Sequence, residues 1–599
     1  YFAVTTFVFL MCTVFCREYI NGAHSKARFY TFWALTYGAV CGVLFSGDFF
    51  TLFMFFEIMS VTSSFWVLHE ENEESDYAGR LYLRISIACG LLMLFGIVIL
   101  YHVFGTLGFS EIRLIIAQGH GFDEAPLKAA AFMMFVGFGA KAGVFLLHIW
   151  LPKAHTAAPA PASAVLSGIL TKTGIIGIIL TSSVLGLISD ESWGRFLLIT
   201  GVCTMFTGAV LAIFSINLKR TLACSSVSQI GFIVTGIACM VLSGGAFEYS
   251  GTLLHMLNHS GIKLILFLIA GGVLKKTGSL DLNAVRGYGK NKPWLMIPFA
   301  VGALSISGVP GFSGYVSKTL IHESIEMLPH STLTEAANII FTVTGGMTLC
   351  YMLKLFVCLF VEDGRAKHAK PLNLLSTTVV NLSALPVFLA GVLPKEFAKI
   401  PKQAQISEYV SVMKSTEGFA EVAEMSWFSW HTMKGGLISI SIGIVLYFLV
   451  VRLLLIRKKA GKRVYINALP FWFDLEKYVY RPVFLVILPF ICALFFRILD
   501  KSTDFIAYFL KTNVFSAVRK KRKDKVGKNG ITYVLGTVLD FFTRNKYHDE
   551  KKSFTERLAV VAAQTGEMAR NLERSLSLSM LMFSVGLLIT LIIMLIKIS

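Results

Sequence analysis

Long apolar stretches, separated by short polar segments, recur along nearly the whole chain. Most run for roughly 18 to 25 residues, the length that an α-helix needs to cross a bilayer. Because lipid offers the backbone no hydrogen bonds, such stretches must be helices, and the strands of a barrel would alternate polar and apolar residues instead. The pattern predicts an all-α polytopic membrane protein with fourteen spans, at 1–16, 30–46, 49–68, 81–103, 126–150, 160–185, 196–214, 221–242, 250–274, 294–322, 338–361, 373–393, 434–456 and 576–597.

The C-terminal region has a different pattern. A fifteenth apolar stretch, 482–496, is short, is flanked by Arg481 and Arg497, and contains Pro489, so it is either a short span or an interfacial segment. We favour the second. From Leu499 to Arg574 the sequence is amphipathic and charged, which predicts a lateral helix along the membrane surface, pinned by the anchoring span 576–597. At the other end, Tyr1 lies within an apolar segment, so we expect preceding chain.

Composition agrees with a membrane protein and excludes some alternatives. Of the 599 residues, 55% are hydrophobic and 15% charged, and the formal net charge is +19. The basic residues lie between spans and near the C-terminus, which indicates anionic lipid rather than nucleic acid as the contact. The ten cysteines include no C-x-x-C pair, so we expect no redox centre in this chain. If the spans alternate, one side is basic and therefore cytoplasmic, since its loops hold Arg17, Lys26, Arg28, Lys219, Arg220, Lys275, Lys276, Arg286, Lys290, Lys292 and 452–463.

Several ionisable residues fall inside predicted spans, where a charge is costly and indicates function unless it can reach the surface. Glu57 lies too deep to do so, and Lys141 lies in mid-span, where an ammonium needs a carboxylate partner or must lose its proton. His255, His259 and Lys263 share one helix face, either as a proton-conducting row or as a structural polar seam. The candidate ion-translocation residues are Glu57, Lys141, Lys172, His255, His259, Lys263 and Lys318.

Two of the spans are predicted to be broken. Pro152, Pro159 and Pro161 follow Lys141, and Pro310 precedes Lys318, so we expect irregular backbone beside a hydrated cavity at each place. Lys172 is either a further relay or a lysine bound by a backbone carbonyl. The spans of 30–185 and 196–361 form two sets of five, and five is odd, so the second set is predicted to be inverted relative to the first.

The chain is predicted to divide into consecutive regions. They are the remainder of N-terminal helices at 1–29, a first five-helix repeat at 30–185, a second at 196–361, additional membrane helices at 362–457, an amphipathic basic region at 458–575 and an anchoring helix at 576–599.

Several motifs in order resemble the antiporter-like subunits shared by respiratory complex I, Mrp-type cation/proton antiporters and energy-converting membrane-bound hydrogenases. They are FEIMS, GFGAKAGVFLLHIWLPKAHTAAPAPASAVLSGILTKTG, HMLNHSGIKLILFLIAGGV and SGVPGFSGYVSK, and the resemblance spans roughly Ser46 to Asp363. Phe56 and Ser260 depart from the residues common in the family, and neither is charged.

The resemblance implies a multi-pass subunit of the inner (cytoplasmic) membrane that moves protons or Na⁺. It implies that Glu57 and Lys141 form an ion pair, that Lys172 and His255 are relays, and that Lys318 is the terminal lysine. The driving electron transfer would occur in partner subunits, namely other membrane-arm subunits and a peripheral redox arm with iron–sulfur, flavin or nickel–iron centres, and this chain would hold no cofactor and perform no redox catalysis. The alternatives are a self-standing Mrp-type antiporter component or an intramembrane metallohydrolase using His255 and His259, which lacks a third ligand and a general base.

Overall fold

A computed structural model describes residues 1–401 except 119–122, 188–189 and 245, and then 422, 424–459, 462–469, 476–480, 482–487, 490 and 493. The chain forms two units, Tyr1–Pro470 and Phe471–Ser599. In the second unit the described helical segments are Glu476–Tyr480 and Val483–Ile487. The predicted lateral helix between Leu499 and Arg574 and the anchoring span 576–597 lie outside the described residues, as do seven of the fifteen residues of the stretch 482–496.

The first unit is almost entirely helical, as the apolar pattern predicts. Its α-helices are α1 Phe2–Tyr19, α2 Lys26–Phe45, α3 Phe49–Val67, α4 Glu73–Phe104, α5 Phe109–Ala117, α6 Glu124–Ala142, α7 Trp150–Ala157, α8 Ala160–Val165, α9 Thr171–Val184, α10 Glu191–Phe214, α11 Leu218–Ser243, α12 Ala246–Thr277, α13 Leu282–Val285, α14 Pro293–Ser307, α15 Ser313–Glu326, α16 Thr332–Phe356, α17 Leu374–Val392, α18 Pro394–Ala398 and α19 Trp430–Leu446. Segments of π-helix extend or join some of them at Leu166–Leu170, Val357–Val361 and Tyr447–Leu455.

Ten helices in the described residues are long and apolar enough to cross a membrane, so the chain is a multi-pass membrane protein. They are Phe2–Tyr19, Phe49–Val67, Glu73–Phe104, Ala160–Val184, Glu191–Phe214, Leu218–Ser243, Phe247–Thr277, Thr332–Val361, Leu374–Val392 and Trp430–Leu455. The predicted spans 30–46 and 126–150 correspond to α2 and α6, which are not among these ten. The predicted span 294–322 is divided into α14 and α15.

One small element departs from the all-α prediction. Strands β1 (Ile456–Lys459) and β2 (Lys462–Tyr465) form an antiparallel pair, with Ile456 opposite Tyr465. This pair stands where the basic region predicted from residue 458 begins. Asn283 fixes it through two hydrogen bonds with the backbone of Tyr465, at 2.7 and 3.0 Å.

The predicted basic loops lie together at one end of the first unit, called here the basic end. Lys276 forms an ion pair with Glu18 at 2.7 Å, and Lys275 donates to the carbonyl of Tyr19. Glu362 is paired with both Arg286 and Arg452, each at 3.1 Å. These contacts confirm that the loops share one end, and the assignment of that end to the cytoplasm stays a prediction.

The two predicted repeats share an order of local features. In the first, Asp48 caps α3 and forms a β-bridge with Gly108, ahead of the short helix α5 and the interrupted pair α6 and α7. In the second, Asn217 caps α11 and forms a bridge with Asp281, ahead of the short helix α13 and the interrupted pair α14 and α15. The inverted repeat requires such a correspondence, and it stays a prediction.

Candidate functional site

Glu57 lies within α3 and its side chain is buried, 8% exposed. Its Oε1 atom accepts no hydrogen bond. The carboxylate packs against Gly90 of α4, where a Cβ would lie 2.5 Å from Oε1. Gly90 therefore makes room for the buried carboxylate of Glu57.

Lys141 is the second-last residue of α6 and is buried. Its Nζ donates to Ser60 Oγ at 2.9 Å and to the Tyr82 hydroxyl. Lys141 and Glu57, which the structure describes, do not form the predicted direct ion pair. Ser60 lies one helical turn after Glu57 on α3, so the ammonium is bound by the helix that carries the carboxylate.

Lys172 and His259 meet at the junction of the two predicted repeats. Lys172 follows the π-helical segment Leu166–Leu170, and its Nζ contacts His259 Nδ1 and donates to the Ser167 carbonyl at 2.7 Å. His259 Nε2 is buried without a hydrogen-bond partner. The lysine thus has both the carbonyl contact expected of a structural role and the imidazole contact expected of a relay.

His255 lies one turn from His259 on α12, as their spacing predicts. Its Nδ1 is 2.9 Å from Ser317 Oγ and its Nε2 is 3.1 Å from Gln229 Oε1. Ser317 immediately precedes Lys318 on α15. His255 therefore connects the histidine row to the helix that carries the terminal lysine.

Lys263 shares the α12 face but has different contacts. Its Nζ donates to the Leu222 carbonyl at 2.8 Å and to Ser225 Oγ. Both acceptors belong to α11. Lys263 thus lies two turns beyond His255 toward the basic end, bound to α11 rather than to another candidate residue.

Lys318 lies in the first half of α15 and is 7% exposed. Its Nζ donates to the Ile306 carbonyl at 2.8 Å, within the last turn of α14, where the helix macrodipole favours a cation. The ammonium also lies 4.4 Å from the centre of the Phe232 ring. Lys318 faces a small cavity of about 40 Å³ between α15, α16 and α19.

The helix breaks stand where glycines allow them, and the prolines lie beside them. α6 ends at Gly143, with φ +83°, and α14 ends at Gly308, with φ +74°. Pro152 and Pro161 occupy the first turns of α7 and α8, Pro159 caps α8, and Pro310 lies between α14 and α15. A proline in a first turn removes no helical hydrogen bond, so Pro152 and Pro161 stand at the starts of helices and do not interrupt them.

Several buried polar partners were not identified from the sequence, because hydroxyl and amide groups are common in membrane helices. They include Tyr82, Gln229 and Ser317. Lys354 was also missed: its ammonium donates to the carbonyls of Ala212, Ile213 and Ser215. Lys354 lies near the end of the predicted span 338–361, where a lysine side chain usually reaches the membrane surface, so its position alone does not indicate burial.

Outside the spans, burial and neighbouring groups shift the pKa of several residues, including His69 and Asp190. Burial, with His24 and Arg28 nearby, lowers the pKa of His69 to about 4. The pKa of Asp190 is lowered to about 2: partial burial opposes this, but hydrogen bonds from Ser192, Trp193 and Lys128 outweigh it.

Among the described residues, His322, Glu323 and Glu326 bring an imidazole nitrogen and two carboxylate oxygens within 4.8 Å of one another, but the group is only partly buried, as acidic surface groups without a metal ion commonly are. The histidines proposed for a metallohydrolase are placed differently. Both ring nitrogens of His255 and the Nδ1 of His259 are occupied by protein partners, which disfavours a zinc site there.

Several known proteins resemble this chain in sequence. Residues 46–348 match the family described as "NADH:quinone oxidoreductase/Mrp antiporter, TM". The chain is 28% identical over 412 residues to "Hydrogenase-4 component B" of Escherichia coli, covering 65% of this chain and 60% of that protein. It is 28% identical over 391 residues to a subunit of the Na(+)/H(+) antiporter of Alkalihalophilus pseudofirmus, covering 64% of this chain and 77% of that protein.

Solved structures show the same fold. A chain of the membrane-bound sulfane sulfur reductase, described as an archaeal respiratory membrane complex, superposes with a TM-score of 0.63 at 21% identity, covering 68% of this chain and 82% of that chain. The relatives named above are components or subunits of larger assemblies by their own names.

Proposed function

This chain belongs to the NADH:quinone oxidoreductase/Mrp antiporter family of membrane subunits, and on that premise we propose that it moves protons or Na⁺ as an antiporter-like subunit of a membrane-bound redox complex. The path would be the row of Glu57, Lys141, Lys172, His255, His259, Lys263 and Lys318. Electron transfer in partner subunits, with iron–sulfur, flavin or nickel–iron centres, would drive it.

The contact between Lys172 and His259 carries the proposal. An ammonium and an imidazole that share a hydrogen bond can exchange a proton, because the lysine can donate to the ring nitrogen and recover the proton later. The contact joins α9 of the first predicted repeat to α12 of the second. Unlike the Ser167 carbonyl and the Thr171 hydroxyl, which also accept hydrogen bonds from the ammonium, the imidazole can take up its proton near neutral pH.

Short steps lead away from this contact on both sides. On one side, Thr173 Oγ1 lies 3.7 Å from the Met59 sulfur, so α9 touches α3 next to Ser60, the partner of Lys141. On the other side, one helical turn leads from His259 to His255 and thence to Ser317, next to Lys318. Side-chain hydroxyls and water would complete the path, and the charge on each lysine would influence the next.

The relatives include a hydrogenase component and an antiporter subunit, each 28% identical to this chain. We prefer the redox complex, and the alternative is a self-standing antiporter. Co-purification separates the two. We expect a mild-detergent preparation of the tagged chain to contain subunits with iron–sulfur or flavin absorbance, whereas a self-standing antiporter would bring down only other membrane subunits.

The ion path is tested by arginine substitution, since arginine keeps the positive charge and does not release its proton. We expect Lys141→Arg and Lys318→Arg to assemble normally and lose ion translocation by about a hundredfold, in the range of lost proton-transfer groups. Ion translocation is measured as dye quenching in inverted membrane vesicles that contain the whole complex. Lys128→Arg is the matched control, because Lys128 lies on α6 near the surface, paired with Glu124 and Asp190. Normal translocation by both test variants would contradict the proposal.

A further inference from the structure

The cavity beside Lys318 extends from the last residue of the proposed ion path toward the end of α15. Its lining includes Lys318, Thr319 and His322 of α15, and Thr432 and Ser439 of α19. Hydroxyl groups and a cationic side chain make such a space suitable for water, which needs several polar partners to remain in a buried site. The cavity runs along α15 from the depth of Lys318 toward the end of the helix.

His322 lies one turn beyond Lys318, at the far end of this cavity. Its ring contacts the Phe341 ring at 5.5 Å, and Phe341 packs edge-on against Phe232, the ring below the Lys318 ammonium. Gly435 of α19 lies against the imidazole, where a Cβ would be 3.3 Å from Cε1. The imidazole is therefore held between an aromatic side chain and a glycine, facing the cavity.

Beyond His322 the side chains become progressively more exposed. Lys318 is 7% exposed, and the side chains of His322 and Glu326 are 18% and 44% exposed. His322 Nε2 lies 3.8 Å from Glu326 Oε1. The lysine, imidazole and carboxylate thus follow one another from the interior to the surface.

The other charged groups around His322 also lie at this surface. Glu323 neighbours it on α15, and the His431 ring of α19 is 3.9 Å from Glu323. Asn338 of α16 donates to Glu326 at 3.5 Å. This end of α15 is opposite the basic end. The helix α16 begins after Ser331, close to the end of α15, and its π-helical extension ends before Glu362, which pairs with Arg286 and Arg452.

We propose that His322 is the proton outlet of this chain, passing protons from Lys318 through the cavity to Glu326 and bulk water on the side opposite the basic end. The inference rests on the proposed function and assigns it an exit. In each cycle the Lys318 ammonium releases one proton through cavity water to a neutral His322 ring nitrogen. The imidazolium then releases one proton from its other nitrogen, through Glu326 or directly, to bulk water. Lys318 takes up the next proton from the ion path, so that each group regains its starting charge.

The test uses the whole complex in membrane vesicles with His322→Gln, which cannot titrate. His330→Gln is the control, an exposed histidine just after the same helix. Translocation is followed as membrane potential with a voltage-sensitive dye, since added imidazole buffers pH. We expect His322→Gln to assemble and to lose translocation by about tenfold or more, with partial recovery in imidazole, while His330→Gln behaves as the unmodified protein with and without imidazole.

Three other outcomes are distinguishable when Lys318→Met is measured in parallel. Normal translocation by His322→Gln with loss in Lys318→Met would overturn the outlet and leave the proposed function standing. Loss in His322→Gln without any recovery in imidazole would show a structural role and would also overturn the outlet. Normal translocation by Lys318→Met would overturn the proposed function, and the outlet with it.

Discussion

At the scale of single residues, the sequence identifies buried charges better than it identifies their partners. Glu57 and Lys141 stand out because a charge is costly at membrane depth. Lys141, however, is bound by Ser60 and Tyr82, which are 81 and 59 residues away in the chain. Hydroxyl groups carry no charge signature in an apolar run, so only the packing of α3, α4 and α6 selects them.

His69, just after α3, gives a residue-scale prediction about pH. Burial lowers its pKa to about 4 from an ordinary value of 6.5. Between these values the unfolded chain binds a proton that the folded chain does not, so stability is fully present above pH 6.5 and is lost as the pH falls toward 4. Both ring nitrogens lack hydrogen-bond partners, so a phenyl ring would replace the imidazole without losing a hydrogen bond.

We therefore expect His69→Phe to have a smaller decrease in thermal stability between pH 7 and about pH 5 than the unmodified protein. The measurement is the unfolding temperature of the detergent-purified chain across this range. His330→Phe, at an exposed position, controls for the type of substitution. Parallel curves for His69→Phe and the unmodified protein would show that His69 does not remain neutral.

At the scale of elements, the existence of the broken helices could be predicted, but the positions of the breaks could not. Proline and glycine clusters near Lys141 and Lys318 indicate irregular backbone. The chain leaves the helix at Gly143 and Gly308 because each adopts a positive φ that side chains disfavour. The pair of strands Ile456–Lys459 and Lys462–Tyr465 was not predicted, because a basic loop has no alternating apolar face to reveal it.

The junction of α14 and α15 gives the element-scale prediction. A Cβ on Gly314 would overlap the Ser305 carbonyl, so the two helices could not approach as closely and the Lys318 contact with Ile306 would be strained. We expect Gly314→Ala to destabilise the protein by about 1 to 3 kcal/mol, the usual cost of overpacking. Ion translocation should fall as well. Thermal unfolding of the purified chain and transport in vesicles measure the two effects.

Gly38 provides the matched control, since it lies within α2 with no atom within 4 Å of the position of a Cβ. Gly38→Ala should be neutral or stabilise the helix by up to about 1 kcal/mol, because alanine is the better helix former. Equal stability of the Gly314 and Gly38 variants would mean that α14 and α15 do not require the close approach.

At the scale of the whole molecule, the loop charges predict which segments share a side, and the ion pairs of the basic end agree. The prediction succeeds because it needs only helix alternation and the distribution of lysine and arginine. The relation between the two predicted repeats is harder to derive, because it requires contacts such as Lys172 with His259 that cross between distant parts of the chain.

Sidedness is the whole-molecule prediction on which the direction of transport depends. The basic end should face the cytoplasm, and the Glu326 end of α15 should face the opposite compartment, because lysine and arginine are retained on the cytoplasmic side during insertion. Lys458→Cys, on β1 at the basic end, should react with a membrane-impermeant maleimide only in inverted vesicles. His330→Cys, exposed just after α15, should react only in right-side-out vesicles. The unmodified chain gives the background from its native cysteines, most of which are buried. Labelling of both positions from the same side would contradict the helix alternation, and an exchange of the two sides would reverse the direction in which His322 could release protons.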